Sequence, residues 1–315
     1  MEKISLIVPC YNEEESLPTL YQELQRVTSE MSEYEFEILF VDDGSKDKTL
    51  SLLKEIANED ERVKYISFSR NFGKESAMYA GFCNATGDFV AALDADMQDP
   101  PALLPQMMKI IKEEGYDSVA TRRIMRKGEP RVRSAFARAF YKLMHGISDV
   151  DIVDGARDFR LMKREMVDAI VAMCEHDRFS KGIFGWIGFK TYWLPFENVQ
   201  RVAGKTKWSF SKLFKYSIDG ILAFSDAPLK LPKICSILSF IASLGMLSWS
   251  LVRTFAQNKP FMDWPFILCI ILFMSGMIFG CMGIMCAYLG KINKEVKRRP
   301  QYLVRDTNKT DIVLK

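Results

Sequence analysis

The sequence predicts an α/β protein built on a mostly parallel sheet, with two apolar helices appended towards its C-terminal end. Three observations carry this. Short, β-rich apolar runs alternate with longer helical patterns over the first 121 residues. Runs such as Ile4-Ser5-Leu6-Ile7-Val8 and Ile38-Leu39-Phe40-Val41 are apolar on both faces, or nearly so. A parallel sheet covered by helices on each side requires that pattern, because neither face of its strands meets water. Finally, two long uncharged runs follow Pro232.

Taken in order, residues 4–9, 36–42, 63–67, 89–93 and 118–121 read as strands, and 15–29, 48–58, 74–84 and 101–114 as helices. Alternating βαβ order gives a doubly wound sheet, whose ligands sit at the carboxyl ends of its strands. The polar clusters fall there. The first strand ends in Pro9-Cys10-Tyr11-Asn12-Glu13-Glu14, the second in Asp42-Asp43-Gly44-Ser45-Lys46-Asp47, and the fourth in Asp94-Ala95-Asp96-Met97-Gln98-Asp99. Ser45 or Asp47 can cap the helix near Lys48, and Asp99 the helix after Pro100 and Pro101. Asp94 and Asp96 have no such structural use.

Composition narrows the function classes. At 315 residues the chain exceeds one domain of roughly 100–200 residues. With 43 Lys+Arg against 40 Asp+Glu, the charge is too balanced to argue for nucleic acid as a partner. Seven cysteines with no Cys-x-x-Cys pair read as buried thiols in a reducing compartment. Only two histidines, His145 and His176, argue against a zinc site or a Ser-His triad. Nothing resembles a signal peptide, so the N-terminal domain is expected in the cytoplasm.

Residues 122–133 hold six basic side chains against Glu129 alone, and read as a flexible basic loop or a solvated face. Residues 134–146 and 208–224 are aromatic, basic amphipathic helices suited to a lipid interface or to a core. Segments 234–252 and 266–289, of 19 and 24 uncharged residues, match the ~20 that a bilayer span needs. The short linker makes them a hairpin. Lys291, Lys294, Lys297, Arg298 and Arg299 outnumber Arg253 and Lys259 between the spans. The positive-inside rule then places both ends in the cytoplasm.

An Asp-x-Asp at a strand end offers carboxylate oxygens to Mg²⁺ or Mn²⁺, which can also hold two oxygens of a diphosphate. Together, several motifs make a specific pattern: Val8-Pro9-Cys10-Tyr11-Asn12-Glu13, Val41-Asp42-Asp43-Gly44-Ser45, Ser69-Arg70-Asn71-Phe72-Gly73-Lys74, Asp94-Ala95-Asp96-Met97-Gln98-Asp99-Pro100-Pro101, Arg157-Asp158-Phe159-Arg160-Leu161, Gly204-Lys205-Thr206-Lys207-Trp208-Ser209, and Asp219-Gly220-Ile221. With the two-span hairpin, these resemble a family 2 glycosyltransferase of GT-A fold, in the branch of dolichol-phosphate mannose synthases and bactoprenol glucosyltransferases.

The resemblance implies that Pro9, Tyr11, Asn12, Glu13, Asp42, Asp43, Lys74 and Ala95 line the nucleotide-sugar pocket, with Asp42 at the base. It implies that Asp94 and Asp96 grip the diphosphate through the metal, that Gln98 approaches sugar or acceptor, and that Asp158 is the catalytic carboxylate, with Asp154 a nearby competitor. Candidates for holding an acceptor phosphate are Arg122, Arg126, Arg131, Lys205 and Lys207. The expected reaction is inverting transfer of a hexose from a nucleotide-sugar, UDP-glucose favoured, to a polyprenyl phosphate. The rivals are GDP-mannose or another UDP-sugar as donor, a processive synthase, and a non-catalytic nucleotide-sugar-binding scaffold. A processive synthase usually needs more spans and a Gln-x-x-Arg-Trp element, both missing from this sequence. The expected organisation is a glycosyltransferase domain over 1–207, a juxtamembrane segment over 208–232, two spans within 233–290 and a basic tail over 291–315. Resemblance also suggests a homotetramer.

Overall fold

The computed structural model describes residues 1–123, 153, 155–196, 227–257 and 264–313. Two units emerge: Met1–Gly220 with Arg299–Lys315, and Ile221–Arg298. In the first, strands β1 (Lys3–Cys10), β2 (Glu35–Asp42), β3 (Val63–Phe68), β4 (Phe89–Ala92), β5 (Ser118–Arg123), β6 (Ala156–Lys163), β7 (Thr191–Phe196) and β8 (Val304–Thr307) form one sheet. Their order is β7-β5-β6-β4-β1-β2-β3-β8. The β4-β1-β2-β3 centre is parallel, as the two-sided apolar runs require, and β7 pairs parallel to β5. Antiparallel strands interrupt this twice: β6 lies between β4 and β5, and β8 joins β3 at the sheet edge.

Helices α1 (Leu17–Glu30), α2 (Thr49–Glu59), α3 (Lys74–Asn84), α4 (Leu104–Glu114), α5 (Arg164–Ala172) and α6 (Ser180–Trp186) accompany the sheet. Alternate residues of the central strands enter separate cores. Ile4, Leu6, Val8, Ile38 and Phe40 pack with Leu20 and Leu24 of α1 and Met107 and Ile111 of α4. Leu39, Val41 and Ile66 pack with Ala77 and Ala80 of α3. Contact there is close: a Cβ on Gly81 would sit 2.2 Å from Ile7 Cγ2. Helix α3 therefore needs glycine where it crosses β1.

The second unit contains α7 (Ala227–Gln257) and α8 (Trp264–Lys297). Within them, Pro228–Met246 and Phe273–Lys297 are long and apolar enough to cross a membrane, and neither is buried by protein. Large side chains such as Phe240 and Phe279 stand about 70% exposed, a surface unfavourable in water. The expected amphipathic helices at 134–146 and 208–224 lie outside the described residues.

The expected basic tail over 291–315 is corrected by the structure. Helix α8 absorbs its first turns, and the chain then re-enters the first unit. Tyr302 is buried and stacks on Phe68, ring centroids 4.9 Å apart. Asn308 Oδ1 accepts the Tyr65 N–H at 2.8 Å, and Lys309 Nζ lies 2.9 Å from Glu37 Oε1. Strand β8 is short, polar and at an edge, so it carries none of the two-sided apolar signal of the central strands.

Burial pushes the Glu37 carboxyl up, but the Ser5 hydroxyl, the Thr86 N–H and Lys309 outweigh it and hold the group at about 2. A depressed carboxyl stabilises the fold above its unfolded value, 4.5, and that contribution is lost as pH falls towards 2. Lys309→Met should therefore cost about 3 kcal/mol at pH 7. The gap from wild type should narrow at pH 3 in thermal unfolding; an equal gap at both pH values would contradict this account.

Candidate active site

The site gathers at the carboxyl ends of β1, β2 and β4. Asn12, at φ 51°, donates its N–H to Ser45 Oγ at 2.9 Å and accepts the Lys46 N–H on Oδ1 at 2.8 Å. The Glu13 N–H reaches Thr49 Oγ1 at 2.8 Å. These bonds lash the loop after β1 to the loop after β2. Pro9 pairs with Val41 in register, and Tyr11 follows half-buried at the strand end. Asp42 is buried and accepts from the Ser45 N–H at 3.0 Å and Ser67 Oγ at 2.7 Å. Asp43 accepts the Phe72 N–H at 2.6 Å and the Gly73 N–H at 3.0 Å. Burial pushes its carboxyl up to about 6 against these two donors. Gly44 sits at φ +67°, and a Cβ there would lie 2.4 Å from the Arg70 carbonyl carbon. Asp43 thus shapes the loop that delivers Lys74.

Lys74 opens α3 and reaches across the rim. Its Nζ lies 2.6 Å from Asp94 Oδ1 and also donates to Asp158 Oδ2. The meeting of Asp94 with Asp158 follows from register: β6 runs antiparallel to β4 with Ala92 opposite Arg160, so the residues just past β4 stand beside the start of β6. Burial would raise the Asp158 carboxyl, but Lys74, Lys181 and Arg157 hold it far below the usual carboxylate range. Burial opposes the charge on Lys74, and Asp158 and Asp94 overcome it, raising its pKa. Both groups stay ionised at neutral pH.

Beyond Asp94 the chain turns sharply, with Met97 at φ 60° and the Gln98 N–H donated to Asp96 Oδ1 at 3.1 Å. Asp96 is buried, and Ala95 beside it joins the core under α1 and α4. Asp99 does not cap the helix that follows. Fully buried, it takes a two-pronged pair from Arg157, Nε to Oδ1 at 2.8 Å and Nη2 to Oδ2 at 3.1 Å. The two prolines that follow leave the turn there no side-chain cap. Asp47 accepts the N–H of Thr49, the first residue of α2, at 3.0 Å. Arg157 Nη2 also lies 3.4 Å from Gln98 Oε1, so one side chain ties the Asp-x-Asp turn to β6. Sequence reading treated Arg157 only as a motif letter, because its partner lies 58 residues away.

Arg122 is exposed on β5, opposite Ala156 of β6. Arg126, Arg131, Asp154, Lys205 and Lys207 lie outside the described residues.

The sequence model of glycosyl transferase family 2 matches residues 5–171, more than half the chain. The chain belongs to glycosyl transferase family 2. A putative glycosyltransferase of Bacillus subtilis (strain 168) is 40% identical over 97% of this chain and 92% of its own. The SfII prophage-derived bactoprenol glucosyl transferase of Shigella flexneri is 38% identical over 98% and 99%. A prophage bactoprenol glucosyl transferase homolog of Escherichia coli (strain K12) is 37% identical over 98% and 100%. The family 2 match spans β1 to β6 and thus the whole charged centre, and the mixed sheet with helices is the expected GT-A arrangement. The protein is a glycosyltransferase.

In this family 2 enzyme, Arg157→Met would strand a fully buried carboxylate. It should cost about 3–5 kcal/mol, read as a lower Tm. Arg157→Lys keeps the charge but loses the two-pronged fork, so it should fall between the two. A Tm equal to wild type in both variants would contradict this structural role.

Proposed function

We propose that the protein transfers glucose from UDP-glucose to a polyprenyl phosphate, with inversion at the sugar carbon, at the cytoplasmic face of a membrane. The observation that carries this reading is the charged centre of Lys74, Asp94 and Asp158 at the rim of the sheet, next to the Asp96 turn. The names of the bactoprenol glucosyl transferases similar to this chain support the sugar and the acceptor.

Among the described residues no three His, Cys, Asp or Glu side chains form a metal cage. Asp94 and Asp96 supply hard oxygen donors, which suits a Mg²⁺ or Mn²⁺ ion whose remaining ligands come from substrate phosphates and water. When bound, such an ion would offset charge on the departing nucleoside diphosphate. Pro9, Tyr11, Asn12, Glu13 and the Asp42–Asp43 loop would wall the nucleotide, and Gln98 would face sugar or acceptor. A phosphomonoester is already anionic near pH 7, its second pKa being about 6. It needs little help from a base, so Asp158 would orient the nucleophile and steady positive charge on the sugar carbon, with Lys74 keeping it ionised. Arg122, with Arg126, Arg131, Lys205 and Lys207, would draw in the acceptor's phosphate.

Membrane attachment has its own support. Both ends of the α7–α8 pair connect to the first unit, and residues 301–313 are part of that unit's sheet and core. A chain that leaves and rejoins one folded unit crosses a bilayer an even number of times. A polyprenyl chain leaves lipid only at about 0.8 kcal/mol per exposed methylene. The enzyme must therefore work at the membrane surface.

Purified protein, undecaprenyl phosphate and labelled UDP-glucose, UDP-galactose, UDP-N-acetylglucosamine or GDP-mannose should give metal-dependent label in lipid from UDP-glucose alone. Asp96→Asn should lower turnover about a hundredfold or more. Label from a different donor would sink the glucose assignment, and no lipid label would sink the acceptor. Lys74→Met removes the largest influence that lowers the Asp158 pKa while burial remains. The acidic limb of its pH–rate profile should move to higher pH, and an unmoved limb would remove Lys74 from this role.

A further inference from the structure

A cavity of about 200 Å³ opens between β6, α6 and β7. Arg160, Lys181, Phe184, Phe189 and Trp193 line it. Arg160 follows Asp158 two residues along β6, about 7 Å further on. Arg160 is only 3% exposed, with its guanidinium over the rings of Phe184 at 4.3 Å and Trp193 at 5.3 Å. Among the described residues its Nη1 finds only hydroxyls, Ser118 and Thr191, both at 3.4 Å. Its Nε has no hydrogen-bond partner, and no carboxylate among the described residues pairs with it.

A buried cation without a counter-ion is costly, and burial pulls this guanidinium down to about 9 despite the nearby Asp158. Besides Arg157, which pairs with Asp99, Lys181 adds a second cation to the cavity, donating to the Ala156 carbonyl at 3.2 Å and helping to hold Asp158 ionised. Two cations between aromatic walls suit an anion joined to an apolar chain. The sheet order decides which substrate this is. The donor rim lies on β4, β1 and β2, whereas the cavity lies across β6 towards β5 and β7.

We propose that this cavity takes the phosphate head of the acceptor, with Arg160 and Lys181 as its cationic walls and Phe184 and Trp193 as its apolar ones. The assignment rests on the polyprenyl phosphate reading above and adds two residues to those expected to meet the acceptor. Charge-assisted bonds from a guanidinium and an ammonium would satisfy the anion. Exposed Arg122 stands opposite cavity-lining Ala156.

Calorimetric titration of the full-length protein in detergent with farnesyl phosphate, farnesol, inorganic phosphate and UDP-glucose tests this, alongside glucose transfer to farnesyl phosphate. Farnesyl phosphate should bind wild type and farnesol should not. Lys181→Met and Arg160→Met should each weaken farnesyl phosphate binding and raise its KM at least tenfold, with UDP-glucose affinity kept within twofold. Arg160→Met risks unfolding the sheet, and half-buried Lys181 keeps the test decisive. Unchanged acceptor binding in Lys181→Met, while wild type still glucosylates farnesyl phosphate, would overturn the cavity and leave the proposed function standing. Inorganic phosphate binding as tightly as farnesyl phosphate would make this a free-phosphate site and overturn the acceptor assignment. Wild type that neither binds nor glucosylates farnesyl phosphate would overturn both.

Discussion

A single ammonium group between two carboxylates organises this molecule. Lys74 can bridge Asp94 and Asp158 only because three separate pieces of backbone are held in place around it. Gly73 takes φ 102° at the start of α3, a conformation that strains other residues. Asp43 fixes the preceding turn through its backbone N–H groups. Strand β6 runs antiparallel beside β4, bringing Asp158 to the Asp-x-Asp turn. Two carboxylates this close would repel each other, and the shared cation offsets that repulsion.

Around that centre, each side chain that holds the site also shapes the fold. Asp42 and Asp43 accept hydrogen bonds from Ser67 of β3 and from loop N–H groups, which ties the rim together. The buried Arg157–Asp99 pair does the same for the turn after β4. Replacing such a pair by apolar residues often costs little, whereas breaking one is expensive. Its use here is therefore geometric: it sets where Asp96 and Gln98 stand relative to Asp158.

The return of the chain after α8 has a mechanical meaning. Strand β8 covers the β3 edge, and the Ser69 N–H donates to the Leu303 carbonyl at 2.9 Å, at the head of the loop that leads to Lys74. An open sheet edge invites pairing with another chain, and β8, a short polar strand, covers the β3 edge. The apolar helices thus interrupt a domain that is completed on both sides of them in sequence.

Much of this was legible in the residues themselves. Strands β1 to β5 and helices α1 to α4 were readable within a few residues, because two-sided apolar runs and helical periodicity are local consequences of burial on both faces of a sheet. The acidic rims were legible for the same reason: they interrupt that pattern at strand ends. The two apolar helices were read from length and lack of charge alone. Tertiary structure decided what depends on pairing between distant segments. Arg157 with Asp99, Lys309 with Glu37, and β8 with β3 join residues 58, 272 and about 240 positions apart. Such contacts are polar or one-sided, so no repeating pattern announces them. The cavity at Arg160 belongs to the same class, since a buried arginine with no carboxylate partner among the described residues shows only in the folded chain.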